Sequence, residues 1–332
     1  MNMKLNKIQV EDALRGATLF GSGGGGTFDL SKKLLNRADF DNLNLLTSIE
    51  KNKYYGTVFG IGSLDTIKDI DFSDLGRRAL EKYKELTGQL FDVMVFGEQG
   101  PLIFAINFVC ASKMKMALLD FDAGGGRAIP NMVSDVYTPL NLKRLPLVVL
   151  SERGNSIKID NVPAEKIDPI VDEFYEKEKS TLTLVGYVNK GSEMADVELG
   201  TLSKAIDVGK SLRENKKIPF FEFIEKVTVK KIEKITDRFT RVKVTTEEGY
   251  TIHAVNEFLV VEKNSKPVVT APTIISLLDE NSGLGSLSSE LEIGKKYTLL
   301  KAKPVKAMYK KSFYEKHLSP KAFGINMETK IW

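Results

Sequence analysis

The chain has 332 residues, 42% of them hydrophobic and 28% charged, with a formal net charge of +4. This is the balance of a soluble globular protein with room for two cores, and no apolar run approaches the roughly 20 residues that span a bilayer. No membrane partner and no secretory leader are expected. The single cysteine, Cys110, excludes an internal disulfide framework and fits a reducing, cytoplasmic setting.

In chain order, Val10, Ala13, Leu14 and Ala17 fall at i, i+3, i+4 and i+7 and predict a helix over residues 8–20, with Glu11 and Asp12 in its first turn. The stretch LFGSGGGGTFDLSKKLL (19–35) ends that helix with glycine at five of the six positions 21–26. Thr27 or Asp29 then caps a second helix carrying Leu30, Leu34 and Leu35. Bare backbone at such a junction means a positive φ, a close chain segment or a close ligand. Strands at 54–63, 91–100 and 115–130 alternate with helices at 74–88 and 102–114; strands at 145–150 and 182–188 and a helix at 200–217 follow. The alternation predicts an α/β layer, a mainly parallel sheet with flanking helices. From about residue 218 the pattern turns β-rich and alternating, which predicts a second, barrel-like β domain. The expected division is 1–218 and 219–332, with a boundary as early as about 165 compatible with the pattern.

In an α/β layer, ligands gather outside the carboxyl ends of the strands. Those ends carry Gly60 and Gly62, then Gly97, Glu98 and Gly100, then Asp120, Asp122 and Gly124 through Arg127. Glu98, Asp120 and Asp122 are therefore the candidate catalytic acids and bases. The two aspartates, two apart on one strand, should point the same way, and close carboxylates separate into an acid and a base. The same three would be the ligands if a hard divalent cation is held. Gly23, Gly24, Gly25 and Gly26 offer amides beside a helix start for an anion or a developing oxyanion, and Arg127 suits a carboxylate or carbonyl oxygen. Each feature also has a structural interpretation: a packed helix connection, a solvated strand end, an arginine paired with Asp120 or Asp122.

Several chemistries find little support. The loop lacks the GK[ST] of a phosphate-binding loop, and a helix rather than a strand precedes it, unlike a dinucleotide fingerprint. With only two histidines and one cysteine, a His/Cys zinc site is not expected. Cys110 sits in an apolar helical stretch and His253 in mid-strand, so no Ser–His or Cys–His pair emerges. The lysine-rich stretches 226–238 and 301–311 alternate with apolar residues without aromatic interleaving, the pattern of solvated strand edges, so no nucleic-acid partner is expected.

The blocks LFGSGGGGTFDLSKKLL, FGEQG, LLDFDAGGGRAIPNM, LGTLSKAIDVGKSL, NEFLVV, TAPTIISLLDENSG, EIGKKYTLLKAKP and PKAFGI occur in this order along nearly the whole chain. In them the chain resembles the S-methyl thiohydantoin desulfurase-like family, a hydantoinase-associated domain of formerly unknown function. Asp120, Asp122, Gly126, Arg127, Ala128 and Pro130 carry the most specific block; Pro101 and Thr273 stand where members usually have glycine and aspartate. The resemblance implies an α/β domain followed by a β-rich one. It also implies a link to hydantoin-type ring metabolism, and with the acids and amides above the leading expectation is hydrolytic chemistry on a small cyclic amide or thioamide of hydantoin or S-methyl thiohydantoin type. The alternative it allows is a non-catalytic ligand-binding or accessory subunit of a hydantoinase/oxoprolinase system. A homo-oligomer is expected on general grounds.

Overall fold

The structure, a computed structural model, describes residues 2–61, 71–236 and 240–332; Gly62 lies outside the described residues. Helix α1 (Lys7–Phe20) starts one turn before the two acids, at Asn6, in a reciprocal capping pair with Gln9. Asp12 is consequently not a first-turn residue but a buried one, paired with Arg15 and Arg213. Helix α2 (Phe28–Leu35) starts at Thr27, whose hydroxyl accepts from the Leu30 amide at 3.3 Å.

The first sheet has eight strands: β1 (Asn2–Lys4), β2 (Asn44–Leu46), β3 (Tyr54–Ile61), β4 (Val93–Phe96), β5 (Ala117–Asp122), β6 (Leu147–Ser151), β7 (Ser156–Ile159) and β8 (Leu182–Lys190). Their order is β1-β2-β5-β4-β3-β8-β6-β7. Only the pairings β2–β5, β5–β4 and β4–β3 are parallel; β1–β2, β3–β8, β8–β6 and β6–β7 are antiparallel. The sheet is therefore mixed rather than mainly parallel. The reason lies in the connections. Helices α3 (Phe72–Thr87) and α4 (Pro101–Met114) carry the chain back to the same end before β4 and β5. The tight turn at 152–155 simply reverses it between β6 and β7.

Alternation along the strands divides the core. Met94, Phe96 and Leu118 face α1, α4 and α6 (Thr201–Arg213). Val93, Val95, Leu119 and Phe121 face α5 (Ile167–Glu178) and the segment around Val305–Phe323. Helices α1 and α6 cross closely because Gly16 lies against the Ala205 carbonyl and Gly209 against that of Asp12; a methyl at either would come within 2 Å, at 1.9 and 1.8 Å.

The second sheet is antiparallel throughout, in the order β13-β12-β11-β10-β9-β15-β14. Its strands are β9 (Phe221–Thr236), β10 (Thr240–Thr246), β11 (Tyr250–Val255), β12 (Glu257–Lys263), β13 (Lys266–Thr270), β14 (Ile274–Asp279) and β15 (Lys296–Ala302). Long β9 pairs with β15 along its first half and with β10 along its second, so the sheet curls into a half-barrel. The end of α1 plugs its open side. Ser22 accepts from the Ile275 amide on β14 at 3.2 Å and donates to the Ile275 carbonyl at 2.8 Å, while its own carbonyl accepts from Phe258 on β12 at 2.6 Å. Lys226, Lys230, Lys231 and Lys234 are exposed on β9, which is paired on both sides, so these lysines solvate the face of a central strand rather than guard a sheet edge.

Candidate functional site

The glycine loop is where the two sheets meet. A methyl at Gly24 would fall 2.1 Å from Glu257 Oε1, and one at Gly25 would fall 2.4 Å from the Gly100 Cα. Gly25 also has φ +78°, which disfavours any side chain. The Gly25 carbonyl accepts from Leu102 in the first turn of α4 at 2.9 Å, so the loop borders the starts of both α2 and α4. The Gly24 amide is spent on Gly21 at 2.8 Å. Among the described residues, the amides of Gly23, Gly25 and Gly26 donate to no protein acceptor. The bare backbone thus serves close packing at two points and leaves three amides open.

Beside this loop stand the ends of β4 and β5. Glu98 follows β4; its Oε2 accepts from the Ile129 amide at 3.0 Å and its Oε1 has no partner. Gln99, fully buried, donates to Asp122 at 3.0 Å and to the Thr201 carbonyl at 3.1 Å. Asp122 closes β5, wholly buried, with both oxygens accepting from the Gly126 amide at 3.0 and 3.1 Å. It therefore shapes the turn that presents Arg127.

Asp120 has the same strand face as Asp122, as alternation predicts, but its partners differ. Its carboxylate accepts from the Ser203 amide at 3.0 Å and from the Ser203 hydroxyl, and its carbonyl takes the Gly200 amide. Asp120 thus caps the start of α6, and both of its oxygens are committed there. Glu98, Asp120 and Asp122 do not form a ligand set; among the described residues no group of three or more His, Cys, Asp and Glu side chains is disposed to hold a metal ion.

Arg127 is completely buried. Its Nε donates to the Ala128 carbonyl at 2.9 Å and its Nη1 to the Pro272 carbonyl at 3.1 Å, whereas Nη2 has no partner. It makes no ion pair with Asp120, Asp122 or any other described carboxylate. Two neighbours escaped the sequence analysis. Glu257, at the start of β12, is 4% exposed, and its Oε2 is buried without a partner. The Tyr309 hydroxyl, likewise buried and unpartnered, lies within electrostatic reach of Arg127. The signal for Glu257 was available: NEFLVV places an acid directly against an apolar strand, as VMVFGE does for Glu98.

Burial dominates the electrostatics. It pushes Glu98 up to about 7, with the Asp122 charge adding and the Ile129 amide opposing. It pushes Glu257 up to about 8, helped by the Glu98 charge, and Asp122 up to about 6 against the donors Gln99 and Gly126. Arg127 is drawn down to about 10 by burial, with Glu257, Tyr309 and Glu98 opposing. Cys110 is sealed inside α4 against the Phe72 carbonyl, its thiol raised to about 12 by burial; His253 sits on β11 beside Glu262 at 3.2 Å. No helix among the described residues is long and apolar enough to cross a membrane.

These features define a two-part protein, a mixed α/β layer joined to a curled antiparallel sheet, with an acid–arginine cluster at the joint. The chain belongs to the S-Me-THD-like family: the profile of the family's N-terminal domain matches residues 8–161 and that of its C-terminal domain residues 167–331. The fold is shared with a crystal structure of a Chromobacterium violaceum protein solved by the Northeast Structural Genomics Consortium. That structure is 20% identical, with a TM-score of 0.78 over 100% of this chain and 99% of that one. No functionally curated protein matches the chain significantly.

Proposed function

We propose that this protein is an enzyme that hydrolyses a small cyclic amide or thioamide, of hydantoin or S-methyl thiohydantoin type, in the cluster beside the glycine loop. The observation that carries the proposal is the fully buried Arg127 whose Nη2 has no protein partner, in electrostatic contact with two carboxyl groups. A buried guanidinium donor is rarely left open unless something polar fills the place. Family membership supports the thiohydantoin-like ring as occupant.

In this reading residues 1–218 form the catalytic body and 219–332 its cover. Arg127 Nη2 and the open amides of Gly25 and Gly26 hold the ring oxygen or sulfur that gains charge. Glu98, through its free Oε1, takes a proton from water as the water oxygen bonds to the ring carbon. Asp122 is a positioning residue: it fixes the Gly126 amide and hence the turn carrying Arg127. Asp120 holds α6 in register below them.

The test is turnover of hydantoin and S-methyl thiohydantoin by the full chain and by Glu98→Gln. Removing a general base should lower kcat by about 10²–10⁴-fold while the fold persists. Rings that raise the Tm without any product would replace catalysis with binding, the role of an accessory subunit. Full activity of Glu98→Gln would remove the mechanism.

A further inference from the structure

Resting on that reading of the site, we propose that Glu257, supplied by the second sheet, is the acid partner of Glu98. The two carboxyl groups beside Arg127 then act as one proton-sharing pair, suited to a neutral ligand edge with a donor beside an acceptor.

Glu257 is a buried acid without its usual partners. Its Oε2 is buried with no hydrogen-bond partner, and no described cation forms an ion pair with it. Its Oε1 lies against Gly24, close enough that a methyl there would clash at 2.1 Å. Arg127 is equally incomplete at Nη2, yet the two do not join. A buried carboxylate and a buried guanidinium that leave each other unpaired each carry a desolvation cost, which a polar ligand reaching both would offset. Arg127 lies within electrostatic reach of Glu98 after β4, Glu257 on β12 and Tyr309 in the 306–309 turn, and Glu98 within reach of Asp122 at the end of β5. One cation among three carboxyl groups disfavours an added anion. A neutral ring with an N–H beside a carbonyl gives Arg127 an acceptor and a carboxylate a donor, without adding charge. Burial raises both Glu98 and Glu257, and the Glu98 charge adds to the rise at Glu257, which favours a single proton held by the pair near neutrality.

The chemical step balances. As the water oxygen bonds to the ring carbon, ionised Glu98 takes one water proton. As the bond from that carbon to the ring nitrogen or to the sulfur breaks, protonated Glu257 gives its proton to the departing atom. One water is consumed, and the proton passes back between the carboxyl groups before the next turnover.

The experiment uses the full chain, Glu257→Gln and Glu98→Gln, with calorimetric titration of hydantoin and of its ring-opened form, N-carbamoylglycine, and kcat against pH. The expected result is that wild type binds the ring more tightly than the open anion. Glu257→Gln should keep ring affinity within about threefold but lose about 10²–10⁴-fold in kcat together with the alkaline limb of the profile. An unchanged alkaline limb in Glu257→Gln, or tighter binding of the anion, overturns the pair while leaving the ring-hydrolase reading standing. If wild type binds neither compound, that reading fails instead, and infrared difference spectra of the wild type decide the pair alone. A protonated carboxyl stretch near neutral pH that disappears on alkalinisation supports it; no such band overturns it. The spectra also serve if Glu257→Gln does not fold.

Discussion

Gly24 and Glu257, from opposite halves of the chain, are in direct contact: a Cβ on the glycine would fall 2.1 Å from the carboxyl Oε1. This contact brings the second sheet's acid beside the loop, whereas the neighbouring glycine meets only backbone. The difference separates function from stability at adjacent positions.

At Gly24 the obstacle is the tip of a flexible side chain and φ is not in the left-handed region. Gly24→Ala should therefore change unfolding free energy by less than about 1 kcal/mol yet lower kcat/KM by displacing Glu257. Gly25→Ala meets the Gly100 Cα at 2.4 Å with φ +78°. It should cost about 1–3 kcal/mol or more. Urea unfolding beside steady-state kinetics checks both.

Ser22 ties the plug to β12 and β14 through its hydroxyl and carbonyl. Ser22→Ala leaves the Ile275 groups without the hydroxyl, buried, and should lower stability by about 1–3 kcal/mol. Amide hydrogen exchange at Phe258 and Ile275 should accelerate more than exchange in β10 and β11, where the ladder is untouched.

Glu98, Glu257 and Asp122 carry raised proton affinities, to about 7, about 8 and about 6. The folded state then binds more protons than the unfolded one between the ordinary carboxylate range and about pH 8, so their contribution falls as pH rises through that window. Tm should decline from about pH 5 to about pH 8, and Glu98→Gln together with Glu257→Gln should flatten the decline. A Tm that rises across the window in wild type would contradict the assignment.

Asp120 and Asp122 should separate by phenotype. Asp120→Ala removes the acceptor for Ser203 at the start of α6; it should cost about 0.5–2 kcal/mol, with exchange accelerated at Leu202 to Lys204. Asp122→Asn frees the Gly126 turn and should raise KM for the ring by loosening Arg127, a change that thermal unfolding alone would not report.

Much of this arrangement is local and was readable. The 3.6 and 2 periodicities located helices α1 to α4 and α6 and strands β3 to β6 and β8, Thr27 and Gly88 marked a start and a stop, and Glu98 and Asp122 stood out as acids at the ends of apolar strands. These signals act over a few residues, through capping, backbone preference and burial of one face.

What the chain alone determined was therefore most of the longer elements of the first layer, their order and the chemistry available at their ends; β1, β2, β7 and α5 were not among them. Only the tertiary structure decided that β8, β6 and β7 run antiparallel, that Asp120 serves a helix while Asp122 shapes a turn, and that Glu257 joins the cluster. The physical reason is range. A carboxyl group's role depends on which donors and charges lie within a few ångströms, and Ser203, Gly126, Gly24 and Arg127 were brought there by packing between segments that no local pattern connects.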